Sequence, residues 1–216
     1  MYKRQIVYCA VKDRNPSPRF VITTVFLIVV LTISAITFEY SPSQHTIIQQ
    51  EALAQPAPSF LTYDNPTHGI KMQYPADWTV STNGLQSYSD IVGFFSPLQN
   101  LTDVLPAQVA LSLMSYSANV SLDEYTNMTL TEIEQQGLEI NESNAFTLAG
   151  NPGYRIIFSP PPQTVPVSLS VMQVWTVIND KVYLLAYTAE GSEFQNNLPL
   201  VQQMLDSLQV QPKQKP

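Results

Sequence analysis

Residues Phe20 to Phe38, FVITTVFLIVVLTISAITF, run for 19 positions without a charge and constrain this chain more than any other stretch. A helix of that length, at ~1.5 Å of rise per residue, reaches roughly 28 Å, close to the thickness of a bilayer's hydrocarbon core. Lys3, Arg4, Lys12, Arg14 and Arg19 precede the run against Asp13, a net of +4, while the rest of the chain holds five basic and sixteen acidic residues, a net of −11. Basic residues gathered on one flank place that flank in the cytoplasm, so the expected topology is N-terminus inside and acidic domain outside. The alternative is a secretory signal cleaved near Ala54, because Ala52-Leu53-Ala54 has the small-residue pattern of a cleavage site. Against it, the apolar run is longer than a usual signal core, and the Ala-Leu-Ala pattern lies about fourteen residues beyond its end. The expected organisation is a tail over 1–19, a transmembrane helix over 20–38, a Pro-, Ser- and Gln-rich linker over 39–59, one folded domain over 60–210 and a short tail over 211–216.

This partition excludes several functions. An outer part at −11 with no run of Lys or Arg repels phosphate backbones, which argues against nucleic acid as a partner. The single cysteine, Cys9, lies before the span, so the outer domain has no disulfide and no thiolate and must be held by its core. The expected partners of the chain are the membrane, through Phe20 to Phe38, and an unidentified protein of the membrane or envelope.

From Phe60 onward the texture is that of short strands. Phe60 to Tyr63 is expected as a strand, Asp64 to Gly69 as a turn, and Ile70 to Tyr74 as a half-buried strand with Ile70, Met72 and Tyr74 on one face. Trp78 to Ser81, Ile91 to Phe95 and Gln108 to Tyr116 follow. Ser121 and Glu124 have the spacing of a capping box, with Leu122, Tyr125, Thr129 and Ile133 as the buried stripe of a helix that Gly137 stops. Asn144 to Leu148 and Gly153 to Phe158 read as strands, the proline-rich 159–166 as a stiff loop, and Val171 to Ile178 with Val182 to Ala189 as a hairpin about Asn179-Asp180-Lys181. A last helix carries Phe194, Leu198, Val201, Leu205 and Leu208, with its regular part starting near Asn197 so that Pro199 falls in the first turn. Runs of adjacent strands separated by few helices indicate an antiparallel α+β domain.

Gly69-Ile-Lys-Met-Gln-Tyr-Pro-Ala-Asp-Trp78, Val92-Gly-Phe-Phe-Ser-Pro97, Ser121-Leu-Asp-Glu-Tyr125, Leu148-Ala-Gly150 with Tyr154, Lys181-Val-Tyr-Leu-Leu-Ala-Tyr-Thr-Ala189 and the closing Asp206-Ser-Leu208 occur in an order that resembles the PsbP family. That family shares its fold with the Ran-binding Mog proteins. The resemblance covers about residues 60 to 210 and implies a central antiparallel sheet covered by helices, an α-β-α sandwich. Plant and cyanobacterial members are accessory proteins of the water-oxidising photosystem and are not established catalysts. This chain carries an apolar N-terminal segment and no thylakoid-targeting pattern, and looks like the membrane-anchored single-domain versions of ammonia-oxidising archaea.

Few residues suggest chemistry. Four glycosylation acceptors stand outside the span, at Asn100, Asn119, Asn127 and Asn141. The only histidines are His45 and His68, and no Gly-x-Ser-x-Gly elbow or glycine-rich phosphate loop occurs. A ligand or cation site is conceivable where Asp64, His68, Asp77 and Trp78 meet. The pairs Asp123 with Glu124 and Glu139 with Glu142 read as a helix cap and a solvated strand end, or as acid and base if the fold set them across a cleft. Trp175, Tyr74, Tyr154, Tyr183 and Tyr187 read as core, or as the wall of an apolar groove. No cofactor and no metal centre is expected. The sequence therefore reads as a non-catalytic, membrane-anchored, extracytoplasmic interaction module, or alternatively as a binding protein for a small ligand or cation.

Overall fold

A computed structural model describes residues 58–83, 89–98, 105–116, 120–160 and 167–211. The expected tail, span and cleavage pattern, Cys9 and His45 lie outside the described residues, as do Asn100, Asn119 and most of the proline-rich loop. Among the described residues no helix is long and apolar enough to cross a membrane.

Among the described residues ten strands and two helices follow in the order β1 (Phe60–Asn65), β2 (Ile70–Pro75), β3 (Thr79–Ser81), β4 (Asp90–Phe95), β5 (Gln108–Ser115), α1 (Leu122–Gln135), β6 (Glu139–Leu148), β7 (Asn151–Ser159), β8 (Leu169–Ile178), β9 (Lys181–Glu190), α2 (Gly191–Ser207) and β10 (Gln209–Val210). Seven strands form one antiparallel sheet in the order β3-β4-β5-β9-β8-β7-β6, and β1-β2-β10 form a second, smaller one. This is a sheet-rich antiparallel α+β fold.

The large sheet buries both faces. Val109, Leu111, Val174, Leu185 and Tyr187 point to one side, where Phe194, Val201 and Leu205 of α2 and Ile70 and Met72 of the small sheet close the core. Trp175, Ile156, Val182 and Leu184 point to the other, where Tyr125 and Ile133 of α1 cover them. Strand alternation delivers successive side chains to opposite layers, so β8 and β9 are apolar at nearly every position.

α1 begins as its sequence dictates. The Ser121 hydroxyl accepts from the Glu124 N–H at 3.1 Å, and the Glu124 carboxylate accepts from the Ser121 N–H at 2.9 Å. The Ser121 N–H and the Ser121 hydroxyl, each donating to the Glu124 carboxylate at 2.9 Å, hold that carboxyl below its ordinary range. At the other end Gly137 takes φ +68°, and the N–H groups of Gly137 and Leu138 return to the carbonyls of Glu134 and Ile133 at 3.0 and 3.2 Å. This paired closure satisfies the last carbonyls of the helix. The β8–β9 turn is tighter than expected: Asn179 and Asp180 alone span it, at φ 49° and 61°, the geometry whose twist matches the flanking strands.

Three expectations change. α2 starts at Gly191 rather than near Asn197, which puts Pro199 inside it. The first turn is held from the sheet instead: the Tyr187 ring stacks on Phe194 at 4.8 Å, and the Tyr187 hydroxyl donates to the Glu193 and Phe194 carbonyls at 3.2 and 3.0 Å. Leu208 ends this helix as its extended cap, and the chain continues into β10, which with β1 and β2 builds the small sheet beside the single sheet expected. β6 starts at Glu139, five residues earlier than expected, with a bulge between Ile140 and Glu142.

Candidate functional site

The four residues expected to share a ligand site do not meet. Asp64 and His68 lie at the turn end of the β1–β2 hairpin, whereas Asp77 and Trp78 follow the far end of β2. Six residues of strand separate the two pairs, ~17 Å at the usual strand rise. Asp64 pairs with its cross-strand neighbour Lys71 at 2.9 Å, both side chains about half exposed, so the pair contributes little stability. His68 sits in the exposed turn, its backbone N–H donating to the Asn65 carbonyl and side chain at 3.2 Å. Trp78 is 5% exposed and belongs to the α2-side core. Among the described residues no three His, Cys, Asp or Glu side chains gather as a metal centre.

Asp64 and Lys71 do border a small groove of about 390 Å³, with Gly69 and Gln211. Gly69 must be glycine there: at φ +67°, its Cβ would stand 2.0 Å from the Gln211 carbonyl oxygen, and its own carbonyl accepts from the Gln211 N–H at 2.7 Å. The remaining aromatics divide between core and surface. Trp175, Tyr183 and Tyr187 are buried, while Tyr74 and Tyr154 are half-buried. Burial raises the Tyr183 and Tyr187 hydroxyl pKa values, that of Tyr187 further because Glu193 is near.

The larger groove, about 760 Å³, lies where α1 passes over the β6–β7 hairpin. Leu122, Asp123, Thr126, Asn127 and Leu130 form its helical wall, and Ala145, Thr147, Pro152 and Tyr154 its floor. Its position follows from two local facts. Helix positions 122, 123, 126, 127 and 130 recur at three- and four-residue intervals and so share one face. Opposite them β6 presents the small side chains of Ala145 and Thr147, leaving space between helix and sheet. Beneath the groove Trp175 fixes the helix to the sheet. Its indole N–H donates to the Thr126 hydroxyl at 3.0 Å, and its ring packs against Tyr125 at 5.7 Å and Tyr154 at 5.6 Å. The Tyr154 hydroxyl shares a 2.8 Å hydrogen bond with Ser143. Just past β5, where Tyr116 packs on Tyr125 of α1, burial pushes the Tyr116 hydroxyl up to about 12 and raises Tyr125 more strongly, with nearby Glu132 adding to both.

Two of the carboxylates considered for acid and base work have other employment. Glu124 caps α1, and Glu142 accepts from Arg155 at 3.2 Å. Asp123 faces the large groove and has no partner among the described residues. The two described sequons differ in setting. Asn127 lines the groove, and its Thr129 is buried inside the helix. Asn141 stands exposed in the β6 bulge, accepting from the Ser159 hydroxyl at 3.1 Å.

A family model described as PsbP-like protein matches residues 20–210, nearly the whole chain. The chain belongs to the PsbP-like protein family. Solved structures similar to this PsbP-like chain include cyanobacterial PsbP (CyanoP) from Synechocystis sp. PCC 6803, 14% identical with TM-score 0.51, covering 75% of this chain and 98% of that one. LpqN of Mycobacterium tuberculosis, described as involved in cell envelope biogenesis, is 15% identical with TM-score 0.53, covering 74% and 88%. The Ran-binding protein Mog1p of Saccharomyces cerevisiae is 8% identical with TM-score 0.51, covering 71% and 96%. At these identities the likeness is one of fold. No curated protein sequence matches the chain.

Sequence reasoning offered Tyr154 as the wall of a groove and Asp123 as part of a helix cap or an acid, but it did not bring the two together at one place. What makes the groove is the small size of Ala145 and Thr147 opposite a helix, and missing bulk leaves no motif.

Proposed function

We propose that this PsbP-like chain is a non-catalytic, membrane-anchored interaction module of the cell exterior, an archaeal-type single-domain version that assists assembly or stability of a membrane or envelope complex. The observation that carries this reading is the extent of the family match. It begins at Phe20, the first residue of the apolar run, and ends at Val210, so run and domain belong to one unit. Two neighbours in fold are described as Ran-binding and as involved in cell envelope biogenesis, which fits a scaffold that works by contact.

Crosslinking and pull-down of the full chain from its own membrane tests the proposal, the expected result being a stable protein neighbour. A purified chain that turns over a substrate, with turnover abolished by one polar substitution, would sink it. Intact mass of the mature protein separates the anchored form from one cleaved near Ala54. Of the described sequons, the exposed Asn141 is the better placed to carry a glycan, since one on Asn127 would fill the large groove. Loss of a glycan mass in Asn141→Gln but not in Asn127→Gln is the expected pattern. That groove also favours a second reading, a binding protein for a small ligand or cation. A thermal-shift scan with calcium, manganese and simple sugars checks it, and no shift with any of them removes it.

A further inference from the structure

The large groove runs beside an open sheet edge, and the two together have the form of a strand-addition site, a reading that rests on the interaction-module proposal. β6 is the outermost strand of its sheet and is bonded only to β7 among the described residues. The two-residue turn at Ala149-Gly150 determines which backbone groups β6 leaves free. Leu148 and Asn151 flank the turn and exchange both ladder bonds, and the pairs Phe146 with Gly153 and Asn144 with Arg155 repeat that pattern. Ser143, Ala145 and Thr147 alternate with them, so their N–H and C=O groups point away from β7. Pro152 agrees with this register: it stands opposite Thr147, where the ladder requires no N–H.

Ser143, Ala145 and Thr147 are all exposed, and Ala145 and Thr147 line the groove. Natural edges are blunted by short length, Lys, Pro or bulges. β6 is ten residues long, its bulge guards only the Ile140–Glu142 end, and Asn144 to Leu148 contain neither charge nor proline.

Charge selects the occupant. α1 and β6 carry Asp123, Glu124, Glu132, Glu134, Glu139 and Glu142, against which α1, β6 and β7 offer only Arg155, already paired with Glu142. Asp123 and Asn127 have no partners among the described residues and stand four residues apart on the groove wall. A second copy of β6 would bring Glu139 and Glu142 against these same acids. We infer that an extended, basic segment of a partner protein joins β6 as an additional strand, bonding to the free backbone groups of Ser143, Ala145 and Thr147. Alternate side chains of that segment face the groove under α1, where its Lys or Arg residues meet Asp123, while the short side chains between them point to the other face of the sheet.

The test uses the full chain in lipid nanodiscs and two labelled ten-residue peptides, one alternating Lys with Thr and its twin alternating Glu with Thr. The expected result is binding of the Lys peptide at least tenfold tighter than the Glu peptide, with slowed hydrogen exchange at the amides of Ser143, Ala145 and Thr147. Ala145→Pro removes the central free N–H without touching the β6–β7 ladder and should weaken binding at least tenfold. Asp123→Lys should do so through charge with the edge intact, and it decides the matter should Ala145→Pro fail to fold. Equal binding of both peptides, no binding, unchanged binding in both variants, or concentration-dependent protection of the edge without peptide each overturns the inference; the last would assign the edge to a second copy. A photo-crosslinker at Ala145, compared with one at Leu61, which is 48% exposed on the small sheet, separates the two proposals. In the native membrane, a protein adduct at Ala145 that Asp123→Lys abolishes supports strand addition. Adducts at Leu61 alone remove the groove but keep the module, and adducts at neither remove both.

Discussion

Thr126→Val asks how much one hydrogen bond holds α1 on the sheet. Thr126 and Trp175 are 8% and 0% exposed, and the 3.0 Å bond between hydroxyl and indole N–H is the polar link between the helix and β8. Valine keeps the shape but removes the acceptor, leaving a buried N–H unsatisfied at a cost of about 1–3 kcal/mol. For a domain of this size a loss of ~2 kcal/mol lowers Tm by roughly 4–8 °C. Trp175→Phe deletes the donor as well as ring volume, and it costs more in itself because the ring also contacts Tyr125 and Tyr154. In that background, however, Thr126→Val has no N–H to orphan and should be nearly neutral. The pair should therefore show a coupling of about 1–2 kcal/mol, well above the ~0.3–0.5 kcal/mol scatter of independent sites. Urea denaturation of the four proteins, with unchanged slopes, measures it; Trp78 remains as a fluorescent reporter in every variant. An equal cost of Thr126→Val in both backgrounds refutes the reasoning, because the penalty would then come from the threonine's own packing.

Gly153→Ala should destabilise by about 3 kcal/mol, read as a lower urea midpoint, because its Cβ would stand 2.4 Å from the Trp175 carbonyl oxygen and backbone in mid-sheet cannot yield. Pro199→Ala should stabilise by about 2 kcal/mol: an interior helix proline costs ~3 kcal/mol, of which the freer unfolded chain takes back under 1; a lower Tm would show that the proline is needed where it stands. Alkaline stability should be full below pH about 10 and fall as pH rises through 12, since the folded state keeps Tyr116 protonated to about 12, and Tyr125 and Tyr187 beyond that, while the unfolded chain releases these protons near 10. Tyr116→Phe should flatten the onset of that fall in pH-dependent denaturation, and a midpoint constant from pH 8 to 12 would contradict the burial argument.

The parts of the fold that were legible in sequence are those where one local rule dominates. The Ser121–Glu124 box and the Gly137 stop bounded α1 because caps are satisfied within a few residues of chain. The strand pairs β1–β2 and β8–β9 were legible through turn residues. α2 was misjudged because Pro199 is a strong local signal, overruled by the contact of Phe194 and Tyr187 across the core. β10 is two residues long and exists only because β2 is there to pair with it, so nothing in Gln209-Val210 alone announces a strand. The proposed meeting of Asp64 with Asp77 failed for a simple geometric reason: residues separated by a whole extended strand lie at its opposite ends.

The small sheet has a mechanical consequence. β1 is its edge, joined to the body of the domain through six residue pairs with β2, and Phe60 is the first of them, just after the linker. The groove lies on the far face of the large sheet, under α1, and β6 is that sheet's edge strand. Tension between a membrane held through the linker and a partner held at β6 would enter at Phe60 and load the β1–β2 ladder before reaching either core. The first element to yield would then be a surface strand that can be peeled off and re-paired, with both helices and the groove left standing.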